Sequence, residues 1–422
     1  MVVLACLCGS ASAATYYVAT WGNNANPGTS TAPWATLQYA VDTIANGDTI
    51  YVKAGTYVGC RIEISGASGG VKTLSAEPGA AVVVNTPGPN NKHNSILEVE
   101  SWTNGTTRYW TIDHLEACNS PDHYGIDMRD TQYITVQNCY THNNGLTGIF
   151  DGFCDNQTYQ NNETAYNGEH GIYHSNSGDY PIIRLNVSHH NVNSGCHING
   201  DKFEGGDGLI SYATVERNVL YENSAGVYVG SINCDGVMDS IIRNNLSYNN
   251  HGSGITLFCI MGAAGSSRNK VYNNTICLAS DGYFALNIPK SGKGKSNPVD
   301  NLIYNNVLYN ANPNSSRGSI RAYAAPMPGT ASDYNVVTNK FEVNSKAKTF
   351  SQWQAYGYDL HSFIATPDQL FVSPATNNYH LKAGSLAANT GTNLVGSYVT
   401  DDLDGDVRPQ GSAYDIGCYE DW

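Results

Sequence analysis

Ser240–Asn250 reads SIIRNNLSYNN, two β-branched residues followed by two Asn pairs set five residues apart. Segments of the same design recur: YITVQNCYTHNN (Tyr133–Asn144), QTYQNNETAYN (Gln157–Asn167), PIIRLNVSHHN (Pro181–Asn191), ATVERNVLYEN (Ala213–Asn223), NKVYNNTICLA (Asn269–Ala279) and NLIYNNVLYNA (Asn301–Ala311). Aligned on a shared Asn, they give a column at 138, 162, 186, 218, 245, 274 and 306, with steps of 24, 24, 32, 27, 29 and 32 residues. A second column follows at Asn143, Asn167, Asn191, Asn223 and Asn250, and a glycine column runs through Gly125, Gly148, Gly171, Gly195, Gly226 and Gly254. A repeat of about two dozen residues, built from short strands without helical periodicity, is one coil of a parallel β-helix. Asn suits the turns, because it tolerates left-handed backbone and its amide bonds to the neighbouring coil. The expected fold is therefore all-β, a single-stranded right-handed parallel β-helix. Steps longer than 24 residues place inserted loops on particular coils.

The ends depart from the repeat. Met1–Ala14 (MVVLACLCGSASAA) has an apolar stretch and a small-residue end, and reads as a signal peptide. Val3–Cys6 offers a lipobox as the alternative, so the protein is expected to be secreted or held at the cell surface. Ala35–Ile44 is a short amphipathic helix placed to cap the first coil, whose edge would otherwise be an unpaired strand. The β-helix is expected over 15–330. Residues 331–422 are expected to form an irregular C-terminal cap packed on the last coils. Nine of the eleven Cys follow Ala14, without metal-binding spacing, and read as small core residues. No other apolar run is long enough to span a membrane. The net charge of −14 argues against nucleic acid as a partner. An acidic protein can still act on an acidic polysaccharide if a local cationic patch or metal ion offsets the repulsion.

The glycine column is a ruler for side-chain direction, since strand residues alternate between faces. Ile126, Ile149, Ile172, Cys196, Val227 and Ile255 follow the glycines and point inward. Next come Asp127, Phe150, Tyr173, His197, Tyr228 and Thr256, which point outward, stacked about 4.8 Å apart. Arg129, Ser175 and Asn199 lie two residues further on, on the same outer face. An outer stripe of aromatic, charged and amide side chains suits an extended sugar chain, and a ladder that only stabilises the sheet is the alternative. Asp151 and His174 fall at nominally inward positions. His174 is placed with Phe150, Tyr173, Asn199 and Tyr228 as substrate-binding, and burial with hydrogen bonding is its other reading. Beyond the stripe, HINGDKFEGGDG and SINCDG bring Asp201, Lys202, Asp207 and Asp235 to neighbouring coils. Asp201, Asp207 and Asp235 are the candidate ligands of a Ca²⁺ ion, which prefers oxygen donors. DLDGD (Asp402–Asp406) is a weaker Ca²⁺ candidate.

The opening stretch TYYVATWGNNANPGTSTAPWATLQYAVDTIANGDTIYVKAGTY resembles secreted β-helix polysaccharide lyases of the pectate-lyase superfamily. Tyr124–Asp179 is similar to the catalytic module of mannuronan C5-epimerases. DLDGDVRPQGSAYDIGCYE is similar to the ends of bacterial surface β-helix proteins. The epimerase resemblance implies a tyrosine at Tyr124 and an essential aspartate at Asp127. Arg129 stands at its catalytic histidine position, Glu169 replaces an arginine, and His170 is kept. Lyases and epimerases both neutralise a uronate carboxylate and then remove the C5 proton. Tyr124, Asp127, Arg129, His197 and Lys202 are the candidates for that chemistry: Arg129 neutralises the carboxylate, Tyr124, Tyr173 or His197 serve as acid and base, and Lys202 is a rival base. The leading expectation is a monomeric lyase acting on a uronate-containing polysaccharide. A C5-epimerase, a β-helix glycoside hydrolase working through paired carboxylates, and a non-catalytic carbohydrate-binding surface protein are the alternatives.

Overall fold

The computed structural model describes residues 13–101 and 105–421. The segment read as a signal peptide or lipobox lies, through residue 12, outside the described residues. The rest winds into a right-handed parallel β-helix whose wall is three sheets of 12 strands each. Within one coil the chain passes through sheet 1 (Ile126–Arg129), sheet 2 (Thr131–Gln137) and sheet 3 (Tyr140–His142), then returns to sheet 1 at Ile149–Gly152. Strands pair in parallel from coil to coil, as in Ile126↔Ile149↔Ile172↔Cys196↔Ile232↔Ile255. These residues are 0–2% exposed and form the axial core.

The Asn doublets divide two tasks between their members. The first residue takes the left-handed turn: Asn161, Asn244, Asn273 and Asn305 have φ of 55°, 53°, 52° and 59°. Asn does so at little cost, because its side chain bonds locally. The second stacks. Asn245 accepts from the backbone N–H and the amide of Asn218 (3.0 and 2.9 Å) and donates to the backbone carbonyl of Val215 (2.9 Å). It donates in turn to the carbonyl of Asn274 through its own backbone N–H (3.1 Å) and amide (2.9 Å). The ladder runs Asn162, Asn186, Asn218, Asn245, Asn274, Asn306 and on to Asn335. Two expected members shift by one residue. Asn138 is the left-handed residue (φ 53°), and Cys139 takes the ladder position, donating its N–H to Asn162. Asn143 likewise turns (φ 53°), and Asn144 bonds to Asn167.

The amphipathic helix is present as α1 (Leu37–Thr43), capped by Thr36, with Leu37, Ala40 and Val41 buried over the first coil. The far end differs from the expected boundary at residue 331. Ala331–Asp333, Val336–Val337 and Phe341–Val343 continue the three sheets, because Asn335 extends the ladder by one more coil. The end cap proper is α2 (Phe350–Gln354), whose Trp353 is fully buried against Phe341 (5.1 Å between ring centroids) and Tyr358 (4.8 Å). The remaining chain runs back along the side of the helix. It binds turn residues of earlier coils through Arg217–Asp401 (3.2 Å), Asn273 to the Asp415 carbonyl (2.9 Å) and Asn305 to the Thr392 carbonyl (3.0 Å). All nine described cysteines are buried and unpaired, and Cys60, Cys139, Cys154, Cys196 and Cys234 lie in the axial core.

Replacing Asn245 by Ala strands the Val215 carbonyl and the Asn218 N–H in the interior, and an unsatisfied buried group costs about 1–3 kcal/mol. The variant is expected to lose at least about 2 kcal/mol in urea unfolding. Asn249→Gly, at a left-handed turn position (φ 50°), is expected to change stability by less than about 0.5 kcal/mol.

Candidate active site

The outer face of sheet 1 carries the stripe expected from the alternation. Asp127, Phe150, Tyr173 and His197 stand in register on successive strands, and Asn233 and Thr256 continue the column. Tyr228 does not belong to it. The glycine column breaks at the coil with the long step: Ser231, not Gly226, aligns with Gly195 and Gly254, so Ile232 replaces Val227 and Asn233 replaces Tyr228. Tyr228 is instead an exposed residue beside Tyr283 (5.0 Å) and Arg317 (5.7 Å).

The aromatic rings form one continuous surface. Tyr124 stacks on Phe150 at 4.4 Å, Phe150 meets Tyr173 edge-on at 5.4 Å, and Tyr173 lies 4.6 Å from His197. His170 closes the group, 5.1 Å from Tyr173 and 4.7 Å from His197. Asn199 donates to the Tyr173 hydroxyl oxygen at 3.0 Å. The Nδ1 of His197 lies 2.9 Å from the backbone carbonyl of Asn233 and 3.1 Å from the side-chain amide nitrogen of the same residue, so it faces both an acceptor and a donor; in the tautomer that donates to the shorter contact the lone pair is on Nε2. His170 is the opposite tautomer: its Nδ1 accepts from the Ser194 N–H (3.1 Å), leaving the proton on Nε2. Burial lowers the pKa of both histidines, and each is neutral near pH 7. Burial raises that of Tyr173, which stays protonated.

One end of the stripe is charged. Arg129 donates through Nε to Asp127 at 3.1 Å and lies over the Phe150 ring at 5.1 Å. Burial lifts the Asp127 carboxyl to about 6 against the pull of Arg129. Glu98 and Glu100 occupy the preceding coil in the same two columns. Burial lifts Glu100 to about 7 and depresses the neighbouring His93 to about 4, their side chains being 3.4 Å apart. The Glu residues lay outside the recognisable repeat. Their signal is the alternation Leu97-Glu98-Val99-Glu100, in which Leu97 and Val99 are fully buried.

Three other expectations are corrected. His174 points into the core, not toward substrate. It is fully buried, with Nδ1 2.8 Å from Asp151 and Nε2 2.9 Å from the Gly178 carbonyl, and Asp151 also accepts from the Tyr159 hydroxyl. Burial opposes charge on His174, but Asp151 outweighs it and raises the pKa. Lys202 is exposed and donates to the Gly206 carbonyl of its own loop at 2.7 Å. Asp201, Asp207 and Asp235 are not brought together as Ca²⁺ ligands. Asp235 accepts three backbone N–H groups, from Ile260, Met261 and Gly262, at 2.9–3.0 Å. Asp201 and Asp207 each accept from the N–H two residues on. Asp402 is likewise occupied, by Gly405, Asp406 and Glu420. These carboxylates do not fit a Ca²⁺ cage.

Comparison with known proteins gives a consistent lineage. The family described as Pel9A-like, right handed beta helix region, matches residues 16–297. Pectate lyase PEL9 of Emericella nidulans is 30% identical over 220 residues, covering 46% of this chain and 52% of that protein, so the chain spans about half the length of this curated relative. Among solved structures, pectate lyase Pel9A superposes with a TM-score of 0.60 at 16% identity over 97% of each chain. The complex of XylC with xylose superposes with a TM-score of 0.54 at 10% identity, over 96% of this chain and 98% of that one. Among the described residues, no helix is long and apolar enough to cross a membrane. With a matching family pattern over most of its coils and the same fold end to end, the chain belongs to the Pel9A-like right-handed β-helix family.

Proposed function

We propose that this protein is an extracellular polysaccharide lyase that cleaves a uronate polymer of the pectate class by β-elimination, with His197 as base and Tyr173 as acid. The observation that carries the reading is the pairing of a neutral His197 and a protonated Tyr173, their rings 4.6 Å apart on the outer face of sheet 1; the reading uses the tautomer in which His197 Nδ1 donates to the Asn233 carbonyl and Nε2 keeps the lone pair. His197 removes the proton at C5 of the sugar. Electrons shift to form the C4–C5 double bond, the glycosidic C4–O4 bond breaks, and Tyr173 delivers its proton to O4. Asn199 and Ser175 both hydrogen-bond the Tyr173 hydroxyl and fix its position on this face.

Hydrogen bonding to the reacting carboxylate falls to the neutral donors beside His197, His170 Nε2–H and the Asn233 amide. Arg129 is too far. Asp127 and His197 are three coils apart, about 14 Å at the usual spacing of parallel strands. Arg129 instead suits a carboxylate several sugars along the chain. The opposite end of the stripe carries Arg321, bonded to Glu342 at 2.8 Å, with Arg317 lying 4.2 Å over Tyr283. An extended acidic chain lying across the coils therefore meets cations at both ends of an aromatic and amide centre.

A second reading follows from the raised pKa values of Glu100 and Asp127. A carboxyl group held near neutrality is suited to general-acid hydrolysis. Such a hydrolase would release reducing ends without unsaturated uronate.

With polygalacturonate or alginate, the ultraviolet absorbance of unsaturated uronate is expected to rise. His197→Ala should lower kcat by at least about 100-fold with an unchanged melting temperature. Arg129→Ala should raise KM for polymer several-fold and leave kcat within about threefold; an equal loss of kcat in both variants would move the chemistry to the Asp127 end. Glu100 binds its proton more tightly folded than unfolded, so its contribution to stability is present below pH 4.5 and lost as pH rises through about 7. Glu100→Gln mimics the protonated form. Thermal melts from pH 4 to 8 should therefore show a shallower decline for the variant than for the parent chain.

A further inference from the structure

The outer face of sheet 3, away from the stripe, carries a second group of chemically distinctive side chains. Glu116 and Cys118 alternate on one strand, and His142 stands beside Cys118 on the next. The pairing register places all three on the outer face, while Ala117 and Thr141 between them point inward. One carboxylate oxygen of Glu116 lies 3.0 Å from His142 Nε2 and 3.7 Å from Cys118 Sγ. The three donor atoms all lie within 4.8 Å of one another, and this is the one such group of His, Cys, Asp and Glu found among the described residues.

We propose that Glu116, Cys118 and His142 form a binding site for a single divalent transition-metal ion of the Zn²⁺ class, with a water molecule in the fourth position. The separations are near those of a tetrahedral site, the 3.7 Å pair at its value and the 3.0 Å pair needing to open by a few tenths of an ångström. A tetrahedral ion with a sulfur ligand at ~2.3 Å and nitrogen and oxygen ligands at ~2.0–2.2 Å holds its donors roughly 3.3–3.7 Å apart. The donor set selects the ion class, because one thiolate and one imidazole favour Zn²⁺ or Co²⁺ over the hard ions Ca²⁺ and Mg²⁺. The strands supply rigidity: His142 is stacked on Tyr140 at 4.1 Å, and Cys118 is buried and accepts from the Asn119 amide at 3.2 Å. Glu116 and His142 are only partly buried, so an ion and its water can enter from solvent. Glu116 also borders a groove of about 670 Å³ between sheets 2 and 3, lined by Glu77, Asp113, His114 and Tyr140. Binding clamps two adjacent coils at a position independent of the proposed lyase site.

The full chain, freed of metal with a chelator, is titrated with Zn²⁺ by calorimetry and with Co²⁺ by absorbance. One equivalent of each is expected, the Co²⁺ form showing a thiolate-to-metal charge-transfer band. Cys118→Ser should abolish that band, and His142→Gln should weaken Zn²⁺ binding by more than about tenfold. His361→Ala, at an exposed histidine elsewhere, should bind as the parent does. Circular dichroism and melting curves identify variants that keep the fold. If the parent takes up no stoichiometric Zn²⁺, or if the folded Cys118→Ser and His142→Gln variants both bind it unchanged, the site does not exist.

Discussion

Every functional distance in this protein derives from the registry between neighbouring coils. Parallel backbone pairing alone would allow one coil to slip on the next, since successive strands are short and chemically alike. The Asn ladder removes that freedom. Each ladder amide bonds to the backbone of the preceding coil and to the side-chain oxygen of the next ladder Asn from a position inside the wall, so a slip of one residue would leave several polar groups buried without partners. Because the register holds over seven coils from Asn162 to Asn335, side chains on sheet 1 stack directly above one another. Tyr173 and His197 meet for that reason and not through any local motif.

Burial then tunes what the registry assembles. The stripe is outward-facing by strand alternation, yet loops cover much of it, and Asp127 and Phe150 are almost inaccessible. Removal of water favours neutral forms, which keeps His170 and His197 unprotonated and Tyr173 protonated. The same physics lifts Glu100 and Asp127 toward neutrality at the charged end. Inside the core the balance is different. His174 and Asp151 are fully buried but within hydrogen-bond reach, and the Asp151 carboxylate pulls the His174 pKa up. Two histidines one residue column apart thus shift in opposite directions.

The polypeptide after the last coil is part of the wall's stability. Its return path along the turns satisfies Asn273 and Asn305, whose first-of-pair positions would otherwise present amides to solvent, and it covers a hydrophobic cluster that includes Tyr248, Cys277 and Val307. The long insertions instead serve the open face. Asp235 ties down the Ile260–Gly262 loop with three hydrogen bonds.

Much was legible in the sequence because a repeat is a local property. The period, the β-branched runs and the Asn doublets determined the parallel β-helix. Strand alternation identified Asp127, Phe150, Tyr173, His197 and Asn199 as neighbours on one face. Counting failed where an insertion interrupted the period. Gly226 precedes a turn residue rather than a strand, so Tyr228 was displaced by Asn233, which no spacing rule could find. The shift from Asn138 to Cys139 has a related cause, since either member of a doublet can align, and only the hydrogen bonds distinguish turn from ladder. Tertiary structure alone decided whether acidic loop residues converge, which way His174 faces and where the C-terminal tail lies. Those outcomes depend on contacts between residues far apart in the chain, and on which polar groups find partners once water is excluded.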